Sequence, residues 1–285
     1  MTDGAGGQAA GEVANGTRSH QQTILGRTKL MNAGELFPDG AGVVIGGSGG
    51  IGRAICEALA RAGSDVVFTY RSNEQVAREL SERIVASGRR ALALQLDLAN
   101  RVASRAAIDR AAAEFGRIHT LVIAIGADVS MTYTADIDPD EWDRTIGGDL
   151  TGSYNVLMPA IAHMRGKGGS VLAMTSAGLV RHPPKDILSV VPKAGLEALV
   201  RGVAREEGRH GIRANSIALG VIDTGLFKRL GERLTPQFIE AMKKNTALRR
   251  FGTAEEVADL ALFLCSSKAA FITGQSIALD GGYSV

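Results

Sequence analysis

Cysteine is scarce in this chain: only Cys56 and Cys265 occur in 285 residues, each inside an apolar helical pattern. With no CxxC pair, a zinc site and a disulfide framework are both excluded, and the two thiols read as small buried hydrophobes. The five histidines show no metal-ligand spacing, so no metal is expected. Net charge is nearly absent too, +2 from 32 basic and 30 acidic residues, which argues against nucleic acid or an acidic membrane surface as partner. No window approaches the roughly 18 apolar residues of a membrane span. The opening "MTDGAGGQAAGEVANGTRSHQQ" lacks the apolar core of a signal peptide, so a soluble, cytoplasmic protein is expected.

Glycine is what the chain has in excess, 36 residues, where the usual share is about 7%. Such a surplus implies many tight turns or close backbone approaches. Residues 1–36 are Gly-, Ala- and polar-rich and read as a flexible arm, whose Ile24, Leu25, Leu30 and Leu36 could pack on the body or on a neighbouring subunit. Residues 37–285 read as a single domain in which strands and helices alternate. "GVVIGG", "DVVFTY", "ALALQLDL", "HTLVIAIG", "GSVLAMTS", "IRANSIAL" and "GQSIALDGG" are the strands. Between them lie amphipathic helical runs, including a long one over 140–164 and another over 187–209. Thr253 with Glu256 three residues on predicts a capping box at the start of the last helix. The pattern is α/β, a doubly wound Rossmann-type parallel sheet of about seven strands with helices on both faces.

"VVIGGSGGIGR" places Gly46, Gly50 and Gly52 between the first strand and the first helix. These glycines permit a tight turn and close approach of backbone to a pyrophosphate, which the helix N-terminus then attracts. Ser48, Ile51 and Arg53 belong to the same turn. The second strand ends in "FTYRS", where a binder of the free ribose diol usually carries an acid; here Arg71 stands. Arg71 and Arg53 suit a 2′-phosphate, favouring NADP over NAD, unless Arg71 is simply a solvated loop charge. Asp97 either bonds an adenine amino group, with Leu98 beside it, or caps the helix that follows.

These glycines, together with Ser176, Lys193 and the late "ALGVIDTGL" and "GQSIALDGG", resemble the short-chain dehydrogenase/reductase family over about residues 40–285, most of all its 3-oxoacyl-carrier-protein reductases. The resemblance implies a serine, tyrosine, lysine and asparagine at the reacting centre. Ser176 and Lys193 match the serine and lysine. The tyrosine's place, four residues before the lysine, is Ser189, and the asparagine's is Asp149. The enoyl-reductase branch uses a tyrosine seven residues before the lysine; that place is Asp186. The family's Thr before the first glycine is Ile45, its Asn-Asn-Ala-Gly reads "IAIG" and leaves Gly126, and its Pro-Gly is Leu219-Gly220. Gly220, Ile222 and Thr224 would line the nicotinamide end, with Thr224 bonding the amide.

In the mechanism that the resemblance implies, the tyrosine protonates the developing alkoxide, and the lysine lowers the phenol's pKa and holds the nicotinamide ribose. A serine hydroxyl is a far weaker acid and is shorter in reach. Losing a general acid typically costs about 10²–10⁴-fold. His182, Lys185 and Asp186 lie in the same loop; an imidazole's ordinary pKa of about 6.5 suits proton transfer, yet such loop charges are more often solvated. Tyr133 could reach the cleft from its loop, whereas Tyr154 reads as packing. Asp149 and Lys193 would pair as ions. The stretch 224–250 reads as a substrate cover, with Lys228, Arg229, Arg233, Lys243 and Lys244 available to a carrier or CoA phosphate or simply solvated.

Two readings stand. One is an NADP-dependent oxidoreductase acting on a small carbonyl or acyl-thioester substrate with an altered proton donor. The other is a non-catalytic NADP-binding subunit or sensor. The family resemblance implies a homotetramer or dimer.

Overall fold

The β1 strand, Ala41–Ile45, and the β4 strand, Ile118–Ile123, are buried along their whole lengths and pair in parallel at the centre of one sheet. The computed structural model describes Met1 and residues 36–126, 128–225, 227–228 and 234–285. The folded unit runs from Leu36 to Val285. The arm expected over 1–36 lies outside the described residues except for its two ends.

β2 (Asp65–Tyr70), β3 (Ala91–Gln95), β5 (Gly169–Ser176), β6 (Ile212–Leu219) and β7 (Ser276–Leu279) complete a parallel sheet of order β3-β2-β1-β4-β5-β6-β7. β2, β5 and β6 have the limits the sequence predicts. The other strands are shorter, because their flanking glycines and polar residues belong to turns.

α1 (Gly50–Arg61), α2 (Glu74–Ala86) and the last helix pack on one face, where Val44, Ile55, Leu59, Phe68, Leu80 and Leu264 form a core. α3 (Arg101–Phe115) and two later helices cover the other face over Val43, Ile45, Leu121, Ile123, Leu157 and Leu196. Adjacent residues of β1 thus feed opposite cores, as a pleated strand buried on both faces requires. Each such side chain contributes about 1.5–3 kcal/mol when fully buried. Cys56 and Cys265 are buried free thiols, as expected.

The long helix expected over 140–164 is interrupted. α4 (Pro139–Thr145) is capped by the Asp138 side chain, a π-helical turn follows over Ile146–Thr151, and α5 (Gly152–Met164) continues the run. Gly147 and Gly148 favour the irregularity, since glycine holds a regular helix poorly. Next come α6 (Gly178–Arg181), α7 (Ile187–Glu207), α8 (Pro236–Lys244) and α9 (Ala254–Cys265). α9 opens with the predicted capping box: Thr253 Oγ1 accepts from the Glu256 N–H, and Glu256 Oε2 accepts from the Thr253 N–H. α3 is capped by Asn100, not Asp97, which instead accepts the Ala99 N–H at 3.1 Å. No helix among the described residues is long and apolar enough to cross a membrane.

Candidate active site

The strand order reverses between β1 and β4, and in open α/β sheets a ligand crevice forms beyond the carboxyl ends of the strands at such a point. Gly46 leaves β1 at φ 84°, where a Cβ would lie 2.7 Å from the Ala124 carbonyl oxygen at the end of β4. Its N–H donates to Thr69 Oγ1 at 3.0 Å. A Cβ on Gly52 would lie 2.2 Å from the Gly46 carbonyl oxygen, so α1 starts directly against the turn. A Cβ on Gly50 would meet Thr224 Oγ1 at 1.8 Å. The predicted glycine and threonine positions are thus brought together.

α1 begins after Gly49, which offers no capping side chain, and no acid occupies its first turn. A helix N-terminus left in this state fits an anionic phosphate, so the turn suits a dinucleotide's pyrophosphate. Ser48 is half-buried within it and Ile51 half-buried at the start of α1, while Arg53 is exposed in the first turn of α1 and Arg71 is exposed just past β2. Asp97 is exposed beyond β3; Leu98 offers its carbonyl to Asn155 Nδ2 at 2.9 Å, which ties this loop to α5. Gly126 is exposed just past β4. Gly220 leaves β6 with its N–H on the Leu279 carbonyl at 3.0 Å, and Ile222, buried, bridges to Gly252.

Lys193 is buried on α7, and its Nζ donates to the Ile125 carbonyl at 2.6 Å, just beyond β4. Asp149 Oδ2 lies 3.6 Å from the same ammonium, so the expected ion pair forms. The π turn delivers that carboxylate. The Asp149 carbonyl accepts from Ser153 Oγ at 2.5 Å, and Gly195 lets α7 close on the turn, since a Cβ there would lie 2.8 Å from Leu150 Cδ2. Burial pushes the Lys193 pKa down, and Asp149 opposes the shift.

Ser176 ends β5, opposite Leu219 of β6, and its Oγ accepts the Gly178 N–H at 3.0 Å. Ser189 lies in the first turn of α7, one turn before Lys193. Asp186 precedes α7. It is half-buried, and burial pushes its carboxyl up to about 6, opposed by a hydrogen bond from the Ser189 side chain. Reading Asp186 with the solvated loop charges is therefore corrected. Its burial arises from the packing of α6 and Gly178, which no local pattern reports; the one sequence signal is an acid immediately before the apolar run Ile187–Val191. The Ile125 carbonyl, a backbone group, carried no signal at all.

The other candidate donors lie outward. His182 is exposed and ends α6 in a left-handed conformation (φ 46°), its N–H donating to the Gly178 carbonyl at 2.8 Å. The Lys185 ammonium sits 4.7 Å above the Tyr133 ring, which is itself exposed. Tyr154, read as packing, is 43% exposed on α5. Among the described residues no cluster could hold a metal ion. Of the five basic residues named for the 224–250 cover, Lys228, Lys243 and Lys244 are described. Arg229 and Arg233 are outside the described residues, so part of that cover is too. Lys243 bonds Glu240 at 2.7 Å.

A family model described as Enoyl-(Acyl carrier protein) reductase matches residues 46–284. The chain is 34% identical over 256 residues to a cis-4-hydroxycyclohexanecarboxylate dehydrogenase of Sinomonas cyclohexanicum, covering 88% of this chain and 99% of that one. It is 31% identical to a 3-oxoacyl-acyl-carrier-protein reductase of Staphylococcus epidermidis, over 84% of this chain and 97% of that protein. It is also similar to the solved structure of a short chain dehydrogenase from Burkholderia cenocepacia in complex with NADP. The TM-score is 0.79 at 32% identity, and the match covers 86% of this chain and 98% of that one.

Proposed function

The chain belongs to the short-chain dehydrogenase/reductase family, and from that premise we propose an NADP-dependent oxidoreductase that interconverts a carbonyl and a hydroxyl group without a tyrosine at the reacting centre. Membership makes the chain an oxidoreductase of a family that works with nicotinamide cofactors, which disfavours the binding-only reading. The observation that carries the rest is the placement of Lys193. A buried ammonium, held by Ile125 and Asp149, stands at the crevice where the glycine turn meets β4.

When bound, the nicotinamide supplies or accepts a hydride. The N–H groups of the Gly46–Gly52 turn hold the pyrophosphate, with Ser48 and Ile51 lining it. Arg53 and Arg71 take the 2′-phosphate, and Asp97 and Leu98 border the adenine. Lys193 holds the nicotinamide ribose; Gly126, Gly220, Ile222 and Thr224 border that end. Ser176 orients the substrate oxygen, and Ser189 stands in the phenol's place. A 3-oxoacyl thioester is the first substrate class to test. Small residues on the exposed groove between α5 and α7, Gly195, Ala198 and Gly202, support a homotetramer or dimer.

NADPH oxidation at 340 nm with a panel of ketones and 3-oxoacyl thioesters tests the reading. Turnover with at least one carbonyl is expected; tight NADPH binding with no turnover on any would overturn it.

NADPH should bind at least about tenfold more tightly than NADH, since a lost charge-assisted phosphate pair is worth about that factor. Arg71→Ala should collapse the ratio in calorimetric titrations. Equal wild-type affinities would remove the 2′-phosphate role of the two arginines.

A phenol at 189 would stand one turn from the Lys193 ammonium. Ser189→Tyr should therefore raise carbonyl reduction by about tenfold or more, given what a positioned acid contributes. A folded variant that binds NADPH yet gains nothing on any substrate would show that this position does not face the substrate oxygen.

A further inference from the structure

Asp186 occupies the N-cap position of α7, but its side chain makes no capping bond to the helix. An N-cap aspartate ordinarily accepts the N–H of the second or third helical residue, which favours the anion. Here the third residue is Ser189. Its N–H goes to the Asp186 backbone carbonyl at 3.0 Å, and its hydroxyl is near enough to the Asp186 carboxyl to favour the carboxylate. The carboxyl is turned inward. Asp186 Oδ2 lies 3.3 Å from where a Cβ of Gly178 would stand, and Ser176 Oγ lies 3.0 Å from the same point. Ser176 Oγ and Asp186 Oδ2 therefore converge on Gly178, and Ser189 follows on the first turn of α7, one helical turn before Lys193.

The cations on the surrounding elements are engaged elsewhere. Arg181 of α6 donates to the Tyr283 carbonyl at 2.7 Å. His182 is exposed, and Lys185 lies over Tyr133. Lys193 faces Ile125 and Asp149. Among the described residues no basic group forms an ion pair with Asp186. Burial thus wins over the hydroxyl and pushes the carboxyl up to about 6.

We propose that Asp186 is the proton reservoir of this site, passing its proton through the Ser189 hydroxyl to the oxygen of the substrate carbonyl. This rests on the oxidoreductase reading above, with the reduced nicotinamide as hydride source. As the carbonyl carbon gains the hydride, the C=O π pair moves onto oxygen. That oxygen takes the Ser189 Oγ proton, Ser189 takes the Asp186 carboxyl proton, and the carboxylate left behind is reprotonated from solvent. The reverse, alcohol oxidation, needs the carboxylate. Reduction should therefore fall as pH rises through about 6, and oxidation should rise over the same range.

The test starts on the cofactor-free protein, labelled with ¹³Cγ-aspartate. The resonance missing from Asp186→Asn should titrate near 6 in the wild type. It should titrate higher in Ser189→Ala, because a hydrogen bond that favours the carboxylate has gone. In steady state, Asp186→Asn and Ser189→Ala should each lose about 10²-fold or more in kcat for reduction, with NADPH affinity within about twofold. The pH limb near 6 should vanish in Asp186→Asn, and Asp186→Glu should recover part of the rate. If Asp186→Asn fails to fold, Ser189→Ala and Asp186→Glu carry the same comparison. Titration of Asp186 near 4, or an Asp186→Asn enzyme that keeps both its rate and its pH limb, would overturn the proposal while leaving the reductase reading intact. A wild type that binds NADPH and reduces nothing would overturn both.

Discussion

Lys193→Met should abolish most of the activity, by about 10²–10⁴-fold, and also weaken NADPH and lower stability. The substitution removes the buried ammonium that donates to the Ile125 carbonyl and faces Asp149. Breaking one side of a buried ion pair typically costs about 3–5 kcal/mol, because the remaining charge keeps its desolvation penalty. In a domain of this size each kcal/mol shifts Tm by roughly 2–4 °C. A melting temperature about 6–20 °C lower is therefore expected, with cofactor affinity measured well below it. Lys193→Met combined with Asp149→Asn should regain part of the stability and none of the activity, since neutralising the carboxylate lifts the penalty without restoring a cation. Unchanged NADPH affinity in Lys193→Met, by calorimetry on folded protein, would make the lysine purely structural.

Gly52→Ala should cost about 100-fold or more in cofactor affinity. A Cβ at this position would stand 2.2 Å from the Gly46 carbonyl oxygen and 2.9 Å from Gly47 Cα. Both are backbone atoms, and the turn must be rebuilt to admit the methyl group. Gly46 is held from its other side by its N–H bond to Thr69 Oγ1 at 3.0 Å, which limits how far it can yield. Since the same turn aims the N–H groups at the pyrophosphate, its displacement removes the contact that anchors the dinucleotide. Gly208→Ala is the control. This glycine is exposed at the end of α7 with φ −55° and open space around its Cβ position, and alanine there should change stability by no more than about 0.5 kcal/mol. Equal NADPH affinities in Gly52→Ala and Gly208→Ala would remove the glycine turn from cofactor binding.

Much of the architecture could be read from the chain, because strands buried on both faces leave continuous apolar runs and helices leave apolar stripes. "DVVFTY", "GSVLAMTS" and "IRANSIAL" mark their strands to the residue, and Thr253 with Glu256 marks the start of α9. The Lys193–Asp149 pair was legible too, since two opposite charges at positions matched to one family site had to meet. The π turn was not, because inserting one wider turn changes the apolar period by too little to notice beside Gly147 and Gly148. Asn100 rather than Asp97 capping α3 turns on a choice between two good capping residues three positions apart. Asp186 escaped for a different reason. Whether this loop acid is solvated or enclosed depends on Gly178, the first residue of α6, packing against it, and that contact is tertiary.

The most direct test of the account is the fate of the hydride. Wild-type enzyme, NADPH deuterated on the transferable C4 position and each carbonyl of the panel would be incubated together, and the alcohol analysed by mass spectrometry. The account predicts one deuterium on the former carbonyl carbon of at least one product, with transfer slowing as pH rises through about 6. Tight binding of NADPH with no deuterium in any product would contradict it.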